Sequence, residues 1–177
     1  QQVIMVTSSN PHAGKTFVST NLAMTLALTG KRVILIDLDL RRRTFTKQMG
    51  RAGNTVGITN YLSGNSTAEE IVHKSSLNNN LDIIYSGPQP PNPGEMLLSE
   101  QLDKLMEQLR ARYDYVIIDS VPAMAVADAM ITDRLSDLCI YVIREGLLDR
   151  RQLPDIERLY REKKLRNMCT VLNGTRI

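Results

Sequence analysis

A three-layer α/β domain, built on a mostly parallel, doubly wound sheet with helices on both faces, is the fold that this sequence predicts. Six short runs, Val3 to Thr7, Val33 to Leu38, Leu81 to Tyr85, Tyr115 to Asp119, Leu138 to Ile143 and Met168 to Leu172, are continuously apolar rather than alternating. Such runs mark strands buried on both faces of a parallel sheet. Amphipathic stretches lie between them and supply the covering helices. The length of 177 residues fits one domain spanning residues 1–177, large enough for a core of its own.

The elements follow in order. The first strand runs into the loop Ser9 to Thr16, and a helix through Leu22, Leu26 and Leu28 follows, stopping at Gly30. The second strand ends at Asp37-Leu38-Asp39, and the basic run Arg41-Arg42-Arg43, with Lys47 nearby, comes directly after it. Residues 50–80 are polar and rich in Gly, Asn and Ser around two short apolar patches, which predicts short surface helices and loops. Asn92-Pro93-Gly94-Glu95 starts a helix: Asn92 is the cap, Pro93 the first helical residue, and Glu95 reaches back to the cap. Behind it Leu98, Leu102, Leu105, Met106 and Leu109 form an apolar stripe that ordinary core packing explains.

Composition excludes several function classes. A formal charge of +3 is too small to argue for nucleic acid by itself. No apolar run approaches the roughly 20 residues of a membrane helix. The two cysteines, Cys139 and Cys169, lie in strand-like runs without CxxC or metal-ligand spacing, so both are expected to be buried free thiols in a reducing cytoplasm. The chain opens on Gln1-Gln2 and enters a strand at once, as expected of a domain cut from a longer protein with native sequence missing at both ends.

Ser9 to Thr16 reads S-N-P-H-A-G-K-T between a strand and a helix. A turn with little side-chain bulk lets successive backbone N–H groups point at phosphates, and the helix behind it adds its positive end. Pro11, His12, Ala13 and Gly14, with Lys15, Thr16 and Phe17 of the first helical turn, are the candidates to surround a nucleotide triphosphate. Lys15 would reach the β/γ-phosphates and Thr16 would bind Mg²⁺. Ser9 stands where this pattern usually has its first glycine. His12 reads as a variable loop side chain, because the backbone does the loop's work.

Asp37 and Asp39 sit two apart at a strand end, so their side chains are expected to point the same way and to share a metal and a proton-transfer task. Asp119 ends another strand, and in open α/β sheets the ligand crevice lies outside the carboxyl ends of the strands. The three aspartates are expected to converge on one nucleotide, as metal and catalytic candidates. The plainer reading is that each caps a following helix or turn.

V-I-L-I-D-L-D-L-R (Val33 to Arg41), V-I-I-D-S-V-P (Val116 to Pro122) and P-P-N-P-G-E-M-L-L-S (Pro90 to Ser99) resemble motifs of the bacterial tyrosine kinases, and the resemblance covers nearly the whole chain. The first two motifs are shared with the wider group of deviant phosphate-loop ATPases, which includes chromosome-partition and division-site proteins. Those usually carry a signature lysine where this chain has Asn10, which favours the kinase branch. The resemblance implies transfer of the γ-phosphoryl of ATP to tyrosines, mostly in the C-terminal tail of a neighbouring subunit, in the control of capsule or exopolysaccharide export. By motif, Lys15 binds phosphates, Thr16 holds Mg²⁺ directly, and Asp39 and Asp119 act through the metal's waters. Asp37 is the base that receives the tyrosine proton. Asn173 matches a position at which related ATPases read adenine, although an Asn ending a strand is often only a turn residue. Arg41 has two readings, a site residue facing the nucleotide or an incoming subunit, and a solvated surface charge.

The same resemblance implies a ring of identical subunits, a transmembrane activator or fused membrane region, and a place at the cytoplasmic face of the cell membrane, with no nucleic acid as partner. The six tyrosines, Tyr61, Tyr85, Tyr113, Tyr115, Tyr141 and Tyr160, form no terminal cluster, and Tyr115 and Tyr141 fall in core strands. The helix with spaced Glu and Arg that joins subunits in this family would lie upstream of Gln1. Monomeric behaviour of this segment, and the lack of an acceptor of its own, are what those absences imply. Two other readings stay open: a partition-type ATPase switch, with Arg41 to Lys47 contacting DNA phosphates, and a small-molecule kinase, whose arginine-bearing lid is not evident.

Overall fold

The computed structural model describes residues 2–51, 53, 55–123 and 127–175. Seven strands form one sheet: β1 (Val3–Ser8), β2 (Val33–Asp37), β3 (Val72–Lys74), β4 (Leu81–Ile84), β5 (Tyr115–Asp119), β6 (Leu138–Arg144) and β7 (Cys169–Asn173). Their order is β3-β4-β2-β5-β1-β6-β7; every pairing is parallel except that of the edge strand β3 with β4. The helices are α1 (Lys15–Leu28), α2 (Thr44–Gln48), α3 (Ile58–Leu62), α4 (Pro93–Leu97), α5 (Glu100–Arg112), α6 (Asp128–Asp133) and α7 (Leu153–Arg161).

Two cores sandwich the sheet, because successive strand residues point to opposite faces. Val3, Met5, Ile34, Ile36, Val116 and Ile118 pack with Leu102, Leu105, Met106 and Leu109 of α5 and with Ile156 and Leu159 of α7. Their neighbours Ile4, Val6, Val33, Leu35 and Ile117 pack instead on Ala23 and Ala27 of α1 and on Phe45 of α2. The two alanines let α1 lie close on the sheet, which fixes the position of the loop that precedes it.

Three expectations need correction. The helix expected from Asn92 onward is two helices. Ser99 separates them: its hydroxyl donates to Met96 O at 2.7 Å and accepts from Leu102 N at 3.4 Å, ending α4 and capping α5 with one side chain. Leu98 falls in the break and is 60% exposed, so the buried stripe begins at Leu102. Glu95 meets the Asn92 side chain at 2.6 Å rather than its backbone N–H. Cys139 is buried, but Cys169 is exposed, because β7 is an edge strand. Within residues 50–80 the sequence reading missed β3, which extends the sheet by pairing Val72 with Ile84.

Asp137, in the turn before β6, ties three elements together. Its carboxylate accepts from Gln2 N and Val3 N at 2.8 and 2.9 Å and from both terminal nitrogens of Arg110 on α5. The Arg110 hydrogen bonds, with those of the two backbone N–H groups, hold the Asp137 carboxyl well below the usual carboxylate range. Its stabilisation is therefore fully present above the ordinary carboxylate pKa of about 4 and is lost as pH falls below it. Asp137→Ala is expected to lower unfolding stability by about 2–3 kcal/mol at pH 7, by stranding these donors. In denaturant titrations that difference should shrink toward acid pH.

No helix among the described residues is long and apolar enough to cross a membrane.

Candidate functional site

The sheet order puts β2, β5 and β1 side by side, with Asp119 in register with both Asp37 and Val6. The carboxyl ends of these strands therefore bring the phosphate-type loop and the aspartates together. The loop turns through the left-handed region at His12 (φ 65°) and Gly14 (φ 97°). Ser9 keeps a negative φ and is buried, so the place of the usual first glycine makes no demand for one here. A Cβ on Gly14 would run into Asn173 Nδ2, which itself donates to Ala13 O at 2.9 Å. His12 is exposed, and its carbonyl accepts from Arg144 Nη1 at 3.0 Å. Arg144 and Asn173, at the ends of β6 and β7, thus brace the loop from outside.

Lys15 and Thr16 open α1 and both turn to Asp119. Lys15 Nζ lies 3.2 Å from Asp119 Oδ1, and Thr16 Oγ1 donates to Oδ2 at 2.7 Å. Asp119 is fully buried; burial pushes its carboxyl above the ordinary range, against the charge of Lys15 and the hydrogen bonds from Thr16 and Lys15. The Lys15 ammonium can turn from this carboxylate to a phosphate, and a hydrated cation can take its place beside Asp119 and Thr16, without rebuilding the backbone.

Asp37 and Asp39 do not present alike. β2 ends at Asp37, and the chain turns, with Arg43 N donating to Asp39 O at 2.7 Å. Both are buried, but Asp39, which accepts from Arg42 N and Thr44 Oγ1, lines the cleft and Asp37 does not. Asp39 lies outside β2, so strand alternation does not set its direction. Burial, and then the negative charge of Asp119, push Asp37 up to about 7, while its hydrogen bonds from Thr46 oppose the rise.

The cleft has a volume of about 520 Å³ and is walled by the loop, the first turns of α1, the β2–α2 turn and α2. Pro11, His12, Gly14, Lys15, Thr16, Phe17 and Asp39 all line it. Ala13 is buried behind the loop, and the Phe17 ring is 65% exposed at the rim. Arg41 stands apart from the Lys15–Asp119 pair: Asp128 of α6 holds its guanidinium bidentately at 2.6 and 3.0 Å. Asn10 donates to Gln152 Oε1 at 3.2 Å. Sequence reasoning missed Arg144, although its place at the carboxyl end of β6 is the signal that pointed to the aspartates.

Among the described residues no group of three or more His, Cys, Asp or Glu forms a metal cage. The donor set is one hydroxyl and hard carboxylate oxygens, Thr16 with Asp119 and Asp39. That set fits Mg²⁺, which keeps several waters and binds through one or two carboxylates plus substrate phosphates.

The AAA domain family matches residues 1–145. The tyrosine-protein kinase YwqD of Bacillus subtilis is 37% identical over 174 residues, covering 98% of this chain and 73% of that protein. A putative tyrosine-protein kinase in the cps region of Klebsiella pneumoniae is 39% identical over 142 residues, which is 80% of this chain and 19% of that protein. Among solved structures, the kinase domain of the Escherichia coli tyrosine kinase ETK superposes with a TM-score of 0.89 at 32% identity, covering 98% of this chain and 68% of that one. The septum site-determining protein MinD of Pyrococcus horikoshii, complexed with Mg-ADP, shares the fold with a TM-score of 0.76 at 20% identity, over 97% of this chain and 69% of that one.

Proposed function

The chain belongs to the bacterial tyrosine kinases, and from that premise we propose that it transfers the γ-phosphoryl of ATP to tyrosines in the C-terminal tail of a neighbouring copy. The observation that carries this reading is the convergence of Lys15, Thr16 and Asp119 beside a loop that turns through the left-handed region at Gly14 directly ahead of α1. Phosphoryl transfer needs positioning and charge neutralisation more than covalent catalysis, and these residues supply both. Backbone N–H groups of residues 12–17 and the α1 N-terminus hold the phosphates, and Lys15 leaves Asp119 for the β/γ-phosphates. Thr16, Asp119 and Asp39 would hold Mg²⁺, which when bound supplies neutralising charge along the phosphates.

Asp37 acts as the base. The phenolic oxygen of the acceptor bonds to the γ-phosphorus, the β–γ bridging bond breaks, ADP leaves, and the phenolic proton passes to the Asp37 carboxylate. With its pKa raised to about 7 the group titrates near neutral pH, where a general base works best. Asn173 and Arg144 hold the loop in shape through the carbonyls of Ala13 and His12, and Arg41, clamped by Asp128, stands apart from the cleft. A ring of identical subunits, a membrane-bound activator and a role in capsule or exopolysaccharide export complete the reading, and the cps-region relative supports the last of these.

A mixing experiment tests transfer between copies. Full-length protein carrying Lys15→Met and an intact tail is incubated with full-length protein whose tail tyrosines are replaced by phenylalanine, with ATP and Mg²⁺. Phosphotyrosine on the Lys15→Met partner is the expected result. Phosphate release with no labelled tyrosine on either partner would contradict it.

A further inference from the structure

Beneath the cleft a row of buried polar side chains runs from α2 to the end of β4, and the mechanism so far makes no use of it. Thr46, of α2, and Ser86, just past β4, are both 0% exposed, and Arg43 is 9% exposed. Arg43 Nε donates to Ser86 Oγ at 3.3 Å, Ser86 Oγ donates to Thr46 Oγ1 at 2.9 Å, and Thr46 Oγ1 donates to Asp37 Oδ2 at 2.6 Å. Ser86 N also donates to Thr46 Oγ1, at 3.0 Å. With both neighbouring donors spent on its oxygen, the Thr46 hydroxyl has its single hydrogen left for Asp37. Every donor points the same way, from a guanidinium to a carboxylate, and bonds in such a chain polarise one another.

The chain treats the two oxygens of Asp37 differently. Oδ2 accepts from both Thr46 N, at 3.0 Å, and Thr46 Oγ1, which uses both of its lone-pair positions. Oδ1 accepts one bond, from Asp39 N at 3.1 Å, and keeps a lone pair. We propose that Thr46, oriented by Ser86 and Arg43, is a positioning residue for the transfer reaction: by saturating Oδ2 it fixes the rotation of the Asp37 carboxylate and designates Oδ1 as the oxygen that takes the acceptor's proton. Arg43 enters the account here. Its left-handed backbone (φ 56°) at the cap of α2 aims the side chain inward, while Arg42 lines the cleft. The inference rests on the reading of Asp37 as the base.

The test uses the full-length protein and four variants: Thr46→Val, which keeps the shape and removes the hydroxyl; Thr46→Ser, which keeps the hydroxyl; Asp37→Ala; and the double variant Thr46→Val/Asp37→Ala. Tyrosine transfer is measured at saturating ATP well below each melting temperature, with nucleotide affinity measured separately by a fluorescent ADP analogue. Thr46→Val should lower kcat by about 10- to 100-fold, the usual cost of removing a partner that orients a reacting group. Nucleotide affinity should stay unchanged, and Thr46→Ser should restore most of the rate. Thr46→Val should cost nothing further once Asp37 is alanine. Wild-type kcat in Thr46→Val beside a crippled Asp37→Ala would overturn the inference alone, as would an equal loss in both backgrounds. An Asp37→Ala variant that transfers at the wild-type rate would overturn the base assignment, and this inference with it.

Discussion

Lys15→Met is expected to abolish tyrosine phosphorylation, lowering the transfer rate by at least about 10²–10³-fold, the usual cost of removing one preorganised donor from a site of developing charge. The structure adds a second expectation. Lys15 is the ion-pair partner of Asp119, and both side chains are almost wholly buried. Breaking such a pair from one side leaves a buried charge uncompensated, at a cost of about 3–5 kcal/mol. Here the cost falls toward the lower end, because Thr16 still donates to Asp119 and burial already favours the protonated carboxyl. Lys15→Met should therefore melt below the wild type without ligand, and added Mg²⁺ should recover part of the difference by supplying a cation to Asp119. Equal melting temperatures without ligand would show that the pair contributes nothing to the fold.

Gly14→Ala is the second large effect. At φ 97° an L side chain is strained by about 1–2 kcal/mol even in open space. Space is not open, since the new methyl would meet the Asn173 amide nitrogen that donates to Ala13 O. Asn173 must swing away, and the loop loses its brace from β7. Nucleotide affinity, measured by titration calorimetry, should fall at least about fivefold, the equivalent of the lower strain figure. Combining Gly14→Ala with Asn173→Gly should return the part due to the clash and leave the part due to φ. A Gly14→Ala variant with wild-type affinity would mean that the loop's shape does not depend on this turn.

The two predictions draw on what the chain shows locally and on what only the fold shows. Gly14, Lys15 and Thr16, where the loop enters α1, and Asp37 and Asp119, where strands end, were legible because apolar runs and turn residues mark those junctions. The two-core sheet was legible for the same reason. The brace on the loop was not, since Arg144 and Asn173 act on backbone carbonyls that carry no side-chain signature. The position of Asp39 in the turn after β2 was hidden because a two-residue spacing implies a shared face only inside a strand, and β2 stops at Asp37. Thr46 was invisible because α2 is five residues long and begins at an arginine in the left-handed region, where no cap signal announces it. The break at Ser99 and the exposure of Cys169 were likewise decided by neighbours: a serine bonded to both helices, and an edge strand open on one side.

The central claim, transfer to tyrosine rather than to water, is tested most directly by incubating the full-length protein with γ-labelled ATP and Mg²⁺ and locating the label by mass spectrometry. The account predicts label on tyrosine side chains, absent when Lys15 is methionine. Label recovered only as inorganic phosphate, with release accelerated by DNA or by membrane vesicles, would contradict it and make this chain a nucleotide switch.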